Sequence, residues 1–205
     1  MNIADQINAV IRSLKSTGEG HSLILTQTFA TTPEDLWDAC TNPSRLARWY
    51  EPVDGTLRQG GRYRLTDSGT VGSIEQCDPP SILRVTWEYA DDISHVVITI
   101  AATESGTSLT AEHTLSDNEH WRTYGPSAPG VGWDVSFLAL ALHLAGDPRA
   151  TPEVMASFSA TSDGSHFEAT TLAQWEQAHV AAGAAPDVAR LAARRSAEFY
   201  ASHHA

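Results

Sequence analysis

Thr28-Phe29-Ala30-Thr31-Thr32-Pro33-Glu34-Asp35-Leu36-Trp37-Asp38-Ala39 is the stretch on which the fold turns. Phe29 closes a β-favouring run that opens at His21 and carries Leu23 and Leu25. Thr32 can cap a helix, Pro33 suits its first position, and Glu34 and Asp35 set negative charge at the positive end of the helix dipole. That helix should reach about Cys40. Asn42-Pro43 starts a second one at once, leading through Ser44 to Trp49, so two short Pro-initiated helices form an elbow.

Downstream of the elbow the chain is rich in β-formers and punctuated by Gly60-Gly61, Asp67-Ser68-Gly69, Asp78-Pro79-Pro80, Asp91-Asp92 and Glu104-Ser105-Gly106. This spacing predicts antiparallel strands near 56–66, 70–77, 82–90, 94–102 and 107–115, most simply a meander. In the third of these, Leu83, Val85, Trp87 and Tyr89 share one face. In the fifth, Leu109, Ala111, His113 and Leu115 do so, which sets His113 among apolar neighbours.

After a loop holding Gly125-Pro126 and Pro129-Gly130, residues 131–145 are apolar around most of a helical circumference. A sheet covers only one side of such a helix, so the tail is expected on its back. Helices near 152–158, 164–182 and 186–201 supply it. Their stripes are Phe167, Thr171, Trp175, Ala178 and Ala182, then Val188, Leu191, Ala192 and Phe199. Upstream, Ile3, Ile7, Val10, Ile11 and Leu14 recur at helical spacing, which predicts an amphipathic helix within residues 1–18.

The 205 residues are read as one domain with appendages: the N-terminal helix at 1–18, a core domain at 21–146 and a helical extension at 150–205 packed on it. The net charge of −12 makes phosphate backbones and anionic membranes poor partners. Arg45, Arg48, Arg58, Arg62 and Arg64 fall close together, but a solvated face accounts for them. Cys40 and Cys77 have no metal-ligand spacing and are expected to be buried, reduced thiols. Met1 to Leu14 lacks the form of a secretory signal, and no segment has the ~20 apolar residues of a membrane helix. A soluble, cytoplasmic protein is expected.

The order of strand, two short helices, antiparallel strands and long apolar helix resembles the SRPBCC (START/Bet v 1-like) superfamily. Within it, the chain is similar to the activator of Hsp90 ATPase homologue (AHSA1-like) proteins. The resemblance rests on residues 28–39, Arg45-Leu46-Ala47-Arg48-Trp49-Tyr50, Gly60-Gly61-Arg62-Tyr63, Gly72-Ser73-Ile74-Glu75, Leu83-Arg84-Val85-Thr86-Trp87 and Gly106-Thr107-Ser108-Leu109-Thr110. Tyr124-Gly125-Pro126 to Gly132-Trp133, with the helical tail, looks like an actinobacterial-type subfamily. The resemblance implies an α+β helix-grip fold: a curved antiparallel sheet wrapped around a long C-terminal helix, with a cavity between them that opens near the elbow. It also implies several functions, since the superfamily includes lipid and hormone carriers and polyketide aromatase/cyclases.

The residues narrow the chemistry from the other side. No G-x-S-x-G elbow, H-E-x-x-H, P-loop or dinucleotide fingerprint occurs, and the nine histidines are scattered, with His203 and His204 in the tail. No catalytic residue, metal or cofactor is assigned. His95 and His113 lie on predicted strands; Glu112 faces away from His113, and Glu75 could serve only if it points inward. The candidate cavity residues are Trp49, Tyr50, Tyr63, Trp87, Tyr89, His113, Trp121, Trp133 and Phe137, because tryptophan and tyrosine pair broad apolar surface with one polar tip. Each would serve equally as core. The expected partner is a small hydrophobic or aromatic ligand, without nucleic acid or membrane, and a homodimer is left open. Alternatives are a cyclase- or hydrolase-type enzyme with an inward histidine or carboxylate as general acid/base, and an Hsp90-activating co-chaperone.

Overall fold

In the computed structural model, which describes residues 2–18, 20–89 and 92–203, the chain runs α1 (Ile3–Ala9), β1 (Ile11–Thr17), β2 (Gly20–Phe29), α2 (Pro33–Thr41), α3 (Pro43–Leu46), β3 (Val53–Gly55), β4 (Arg62–Leu65), β5 (Val71–Asp78) and β6 (Ile82–Tyr89). It continues through β7 (Asp92–Thr103), β8 (Gly106–Leu115), α4 (Glu119–Tyr124), α5 (Ser127–Leu144), α6 (Pro152–Ala156), α7 (Ser162–Ala181) and α8 (Pro186–His203). Part of the expected Asp91-Asp92 turn, and His204, fall outside the described residues.

The eight strands form one antiparallel sheet in the order β1-β2-β8-β7-β6-β5-β4-β3. From β3 to β8 it is the expected meander, and the elbow carries the chain across from β2 to the far edge. The curved sheet grips α5, which makes this an α+β helix-grip fold. The elbow forms as its caps dictate: the Thr32 hydroxyl accepts from the Asp35 N–H, and the Asn42 side chain accepts from the Ser44 N–H. Arg45 then ties the two helices together, its Nη1 donating to the Asp35 and Asp38 carboxylates at 2.7 and 3.0 Å.

The first segment departs from expectation. Its helix stops at Ala9, and Ile11–Thr17 pairs with β2 residue for residue, from Ile11↔Thr26 to Thr17↔Gly20. The strand also inverts the hydropathy pattern, with Ile11 69% exposed and Arg12 buried. The cause is Asp134 in α5, whose side chain is fully buried and needs a counter-charge. Arg12 Nη2 meets it at 2.6 Å, and Arg12 Nη1 donates to the Ile7 and Val10 carbonyls.

The expected strand at 56–66 is confined to β4, with the short β3 ahead of its span. A tight turn through Arg58 and Gly60-Gly61 takes its first half, so close that a Cβ at Gly61 would run into the Thr56 carbonyl.

α5 begins at Ser127, earlier than expected, since Pro129 falls in the first turn, where a missing N–H breaks no helical hydrogen bond. Gly130 is needed there because the Trp175 indole of α7 occupies the place of its Cβ. The tail covers the back of α5 as its apolarity requires. Trp175 Nε1 donates to Asp134 at 2.8 Å, and the Tyr200 hydroxyl donates to the Ala128 carbonyl at 2.6 Å. Phe167, Thr171 and Trp175 are buried as expected, whereas Ala182 is exposed. In α8 the expected stripe holds only in part: Ala192 is buried and Phe199 half-buried against Tyr124, but Val188 and Leu191 are exposed, and Ala189, Ala193 and Ser196 are buried in their place. Small residues win this face because they let α8 approach α4 and α7 closely.

Candidate functional site

The inner faces of β4 to β8, the elbow and α5 do not close completely on one another. They leave a cavity of about 190 Å³. Strand alternation supplies one wall: Tyr63 and Leu65 from β4, Ile74 and Cys77 from β5, Leu83, Val85 and Trp87 from β6, Val96 and Ile98 from β7, and Leu109 from β8. One face of α5 supplies Trp133, Ser136, Phe137 and Leu140, and the elbow supplies Cys40, Thr41, Leu46, Trp49 and Tyr50. Val53 and Leu57 complete the lining, and Leu57, 39% exposed, marks where it reaches the surface.

Most polar tips on this wall are held by the protein. Trp49 Nε1 donates to the Ala39 carbonyl at 3.0 Å, and the Tyr63 hydroxyl donates to the Thr86 carbonyl at 2.8 Å. Tyr63 can lie flat because its cross-strand partner is Gly72, where a Cβ would strike the ring. Among the described residues no Asp, Glu, Lys, Arg or His lines the cavity. Burial pushes the Cys40 thiol up to about 12 and lifts the Tyr50 and Tyr63 phenols above their ordinary value.

Of the nine candidates from sequence, Trp49, Tyr50, Tyr63, Trp87, Trp133 and Phe137 lie on this wall. The other three do not. Tyr89 shares the correct face but sits at the strand end opposite Asp92, 62% exposed and beyond the cavity. Trp121 stacks on His21 with ring centroids 4.1 Å apart and meets His179 edge-on, so it packs under the helical extension.

His113 is buried one layer behind the wall. Its Nδ1 accepts from Trp133 Nε1 at 3.0 Å, which puts the ring proton on Nε2, and Nε2 donates to Ser94 Oγ at 2.8 Å. The Ser94 hydroxyl donates in turn to the Trp87 carbonyl. Both ring nitrogens are thus engaged, and burial lowers the pKa to about 4. His113 positions Trp133 and Trp87 without touching the cavity. Glu75 points to the outer face, where its carboxylate lies 3.6 Å from His95.

The sequence did not identify several lining residues. Cys40 and Cys77 are free thiols but only partly buried, and both border the cavity. Ser136 and Leu140 follow Trp133 at helical spacing and were legible in principle. Val96 and Ile98 were harder to read, because Val97 puts an apolar residue on the opposite face as well and weakens the alternation of Val96, Ile98 and Ile100. Among the described residues no three His, Cys, Asp or Glu side chains are grouped as a metal site requires. No described helix is long and apolar enough to cross a membrane.

Residues 30–145 match the family described as activator of Hsp90 ATPase homolog 1-like protein. The chain belongs to this family. The match runs from the residues before α2 to the end of α5, so the activator-homolog domain contains the elbow and every lining residue of the cavity. Among solved structures, the chain is similar to CalU16 from Micromonospora echinospora. The solution structure shares 26% identity, covers 85% of this chain and 97% of CalU16, and has a TM-score of 0.72. For the crystal structure of the same protein the values are 29%, 80%, 97% and 0.63. PFC0360w from Plasmodium falciparum, described as an HSP90 activator, is 22% identical over 61% of this chain and 96% of its own, with a TM-score of 0.52. At that identity the likeness is one of fold. No curated protein matches the sequence.

Proposed function

We propose that this activator-homolog protein binds a small, uncharged hydrophobic or aromatic molecule in the cavity between the sheet and α5. The observation that carries the reading is the cavity wall itself: Trp49, Tyr63, Trp87, Trp133 and Phe137 surround about 190 Å³ with no charged side chain among them. Apolar cavities of ~150 Å³ hold a benzene-sized guest, so this volume suits one ring or two fused rings. Aromatic walls also offer offset-stacked and edge-to-face contacts to such a guest.

The lining gives no support to general acid/base catalysis. A base near pH 7 would have to be a histidine or a carboxylate within reach of the substrate. His113 makes two protein hydrogen bonds behind the wall, and Glu75 faces outward.

Titration with naphthalene and with naphthalene-2-sulfonate, followed by tryptophan fluorescence, tests the reading. Naphthalene should bind and the sulfonate should not, because no cation offsets the desolvation of its charge. Val96→Phe should fill part of the cavity, weaken naphthalene binding at least ~10-fold and leave the fold intact, since the added ring enters existing space. Equal binding of both probes, or undiminished binding to Val96→Phe, would count against it.

A further inference from the structure

We infer that the Tyr50 hydroxyl is the polar anchor of the cavity, and that the ligand is an uncharged ring compound carrying a hydrogen-bond-accepting oxygen. The inference rests on the ligand-binding reading above and narrows its chemistry.

It follows from the disposition of hydrogen-bonding groups around the wall. Trp49, Tyr63 and Trp133 each donate to a protein acceptor. The Thr41 and Ser136 hydroxyls donate to the Trp37 and Gly132 carbonyls four residues earlier, at 2.8 and 3.0 Å. The Tyr50 hydroxyl has no hydrogen-bond partner among the described residues, although Tyr50 lines the cavity and its ring packs tilted against Trp49. Desolvation raises its phenol above the ordinary value, yet the side chain keeps some accessible surface. Those two facts agree when the accessible surface faces the cavity rather than bulk water.

A phenol that lines the cavity and has no partner among the described residues is available for a ligand's hydrogen bond. An acceptor oxygen on the ligand would satisfy it. The indole N–H of Trp87 is the other lining N–H or O–H with no partner among the described residues; it can only donate, whereas the Tyr50 phenol can donate or accept. An acceptor oxygen is the one ligand group that can satisfy either of them. A carboxylate would bring that acceptor with a charge that nothing on the wall offsets, which leaves carbonyl, quinone or ether oxygens. Tyr50 is preferred as the anchor because its hydroxyl stands at the end of a side chain that the elbow holds, its N–H bonded to the Leu46 carbonyl and its ring against Trp49.

The test compares acetophenone with its isostere α-methylstyrene, which carries =CH2 in place of =O, on the whole chain and on Tyr50→Phe. Binding is read from the indole N–H chemical shifts of Trp49, Trp87 and Trp133. The preference for the ketone over the alkene should fall about 10-fold in Tyr50→Phe, as expected for one hydrogen bond in a dry site, with α-methylstyrene affinity unchanged. The variant should melt with the wild type, because the hydroxyl has no partner among the described residues. If both compounds bind and Tyr50→Phe leaves their ratio unchanged, the anchor is wrong and the ligand reading stands. If neither binds the wild type, the ligand reading falls and the anchor with it.

Discussion

Acidification from pH 7 to pH 4 is expected to remove about 3 kcal/mol of stability through His113 alone. Trp133 Nε1 directs its N–H at Nδ1, so a second ring proton would set donor against donor. The ring is only 8% exposed, so little water is present to solvate an imidazolium. Burial thus takes the pKa from 6.5 to about 4. With the folded value below the unfolded one, the unfolded chain takes up the proton first as pH falls. This contribution is complete above about pH 6.5 and is lost as pH falls towards 4. At ~1.36 kcal/mol per pH unit, the interval from 6.5 to about 4 corresponds to about 3 kcal/mol.

Urea unfolding of the wild type and of His113→Gln across that range measures the difference. The glutamine amide offers an acceptor to Trp133 and a donor to Ser94 but does not titrate. The wild type should lose about 3 kcal/mol more than the variant on going to pH 4. Comparing the two proteins cancels His143 and His179, whose pKa values burial also lowers. The imidazole ¹⁵N shifts of His113 give a direct reading: an Nε2–H tautomer with a midpoint near 4. A midpoint near 6, or equal losses in the two proteins, would refute the proton-locked network.

Two further outcomes concern the helical extension. Arg12→Met leaves the Asp134 carboxylate, whose side chain is wholly buried, with Trp175 as its remaining side-chain donor, and should cost about 3–5 kcal/mol. Burial already pushes Asp134 above its ordinary value against the pull of Arg12, so the variant's deficit should shrink as pH falls and the carboxyl takes up a proton. Urea midpoints measured from pH 7 down to pH 5 check both statements, and a loss below ~1 kcal/mol would sink the first. Gly130→Ala forces a methyl into the Trp175 indole and should cost about 1–3 kcal/mol, visible as a lower Tm and a shifted Trp175 signal.

What was legible in the sequence is what is decided locally. Thr32, Pro33 and Asn42 fix the elbow by caps that act over three residues, and the turn residues of the meander act over a similar span. What was not legible is decided across the fold. Residues 11–17 carry a helix-like spacing, but pairing with β2 and the demand of Asp134, 122 positions away from Arg12, make them a strand with its arginine inward. In α8 the aliphatic residues Val188 and Leu191 mark the wrong face, because contact with α4 and α7 selects for small size there. For the site, alternation in β6 identified the inward face correctly and overran by one residue, Tyr89. Alternation in β8 set His113 inward, where the ring supports Trp133 from behind.

Whether the aromatic wall is a binding surface or merely core depends on why it does not collapse. An unfilled apolar cavity costs ~24 cal/mol per Å³, so about 190 Å³ forgoes on the order of 4 kcal/mol, an upper value because the Leu57 end reaches the surface. That is a large share of a typical net stability of ~5–15 kcal/mol. A wall made only of aliphatic side chains could change rotamers and shrink the space. Here Trp49 is pinned to the Ala39 carbonyl, Tyr63 to the Thr86 carbonyl and Trp133 to the imidazole of His113, from three different elements. Moving any of these rings inward would strand a buried donor at a cost of about 1–3 kcal/mol each, comparable with the gain from closing the gap. The hydrogen bonds at the back of the wall thus keep the space at its front open. A guest that entered would gain the contacts the wall lacks without paying to reorganise it.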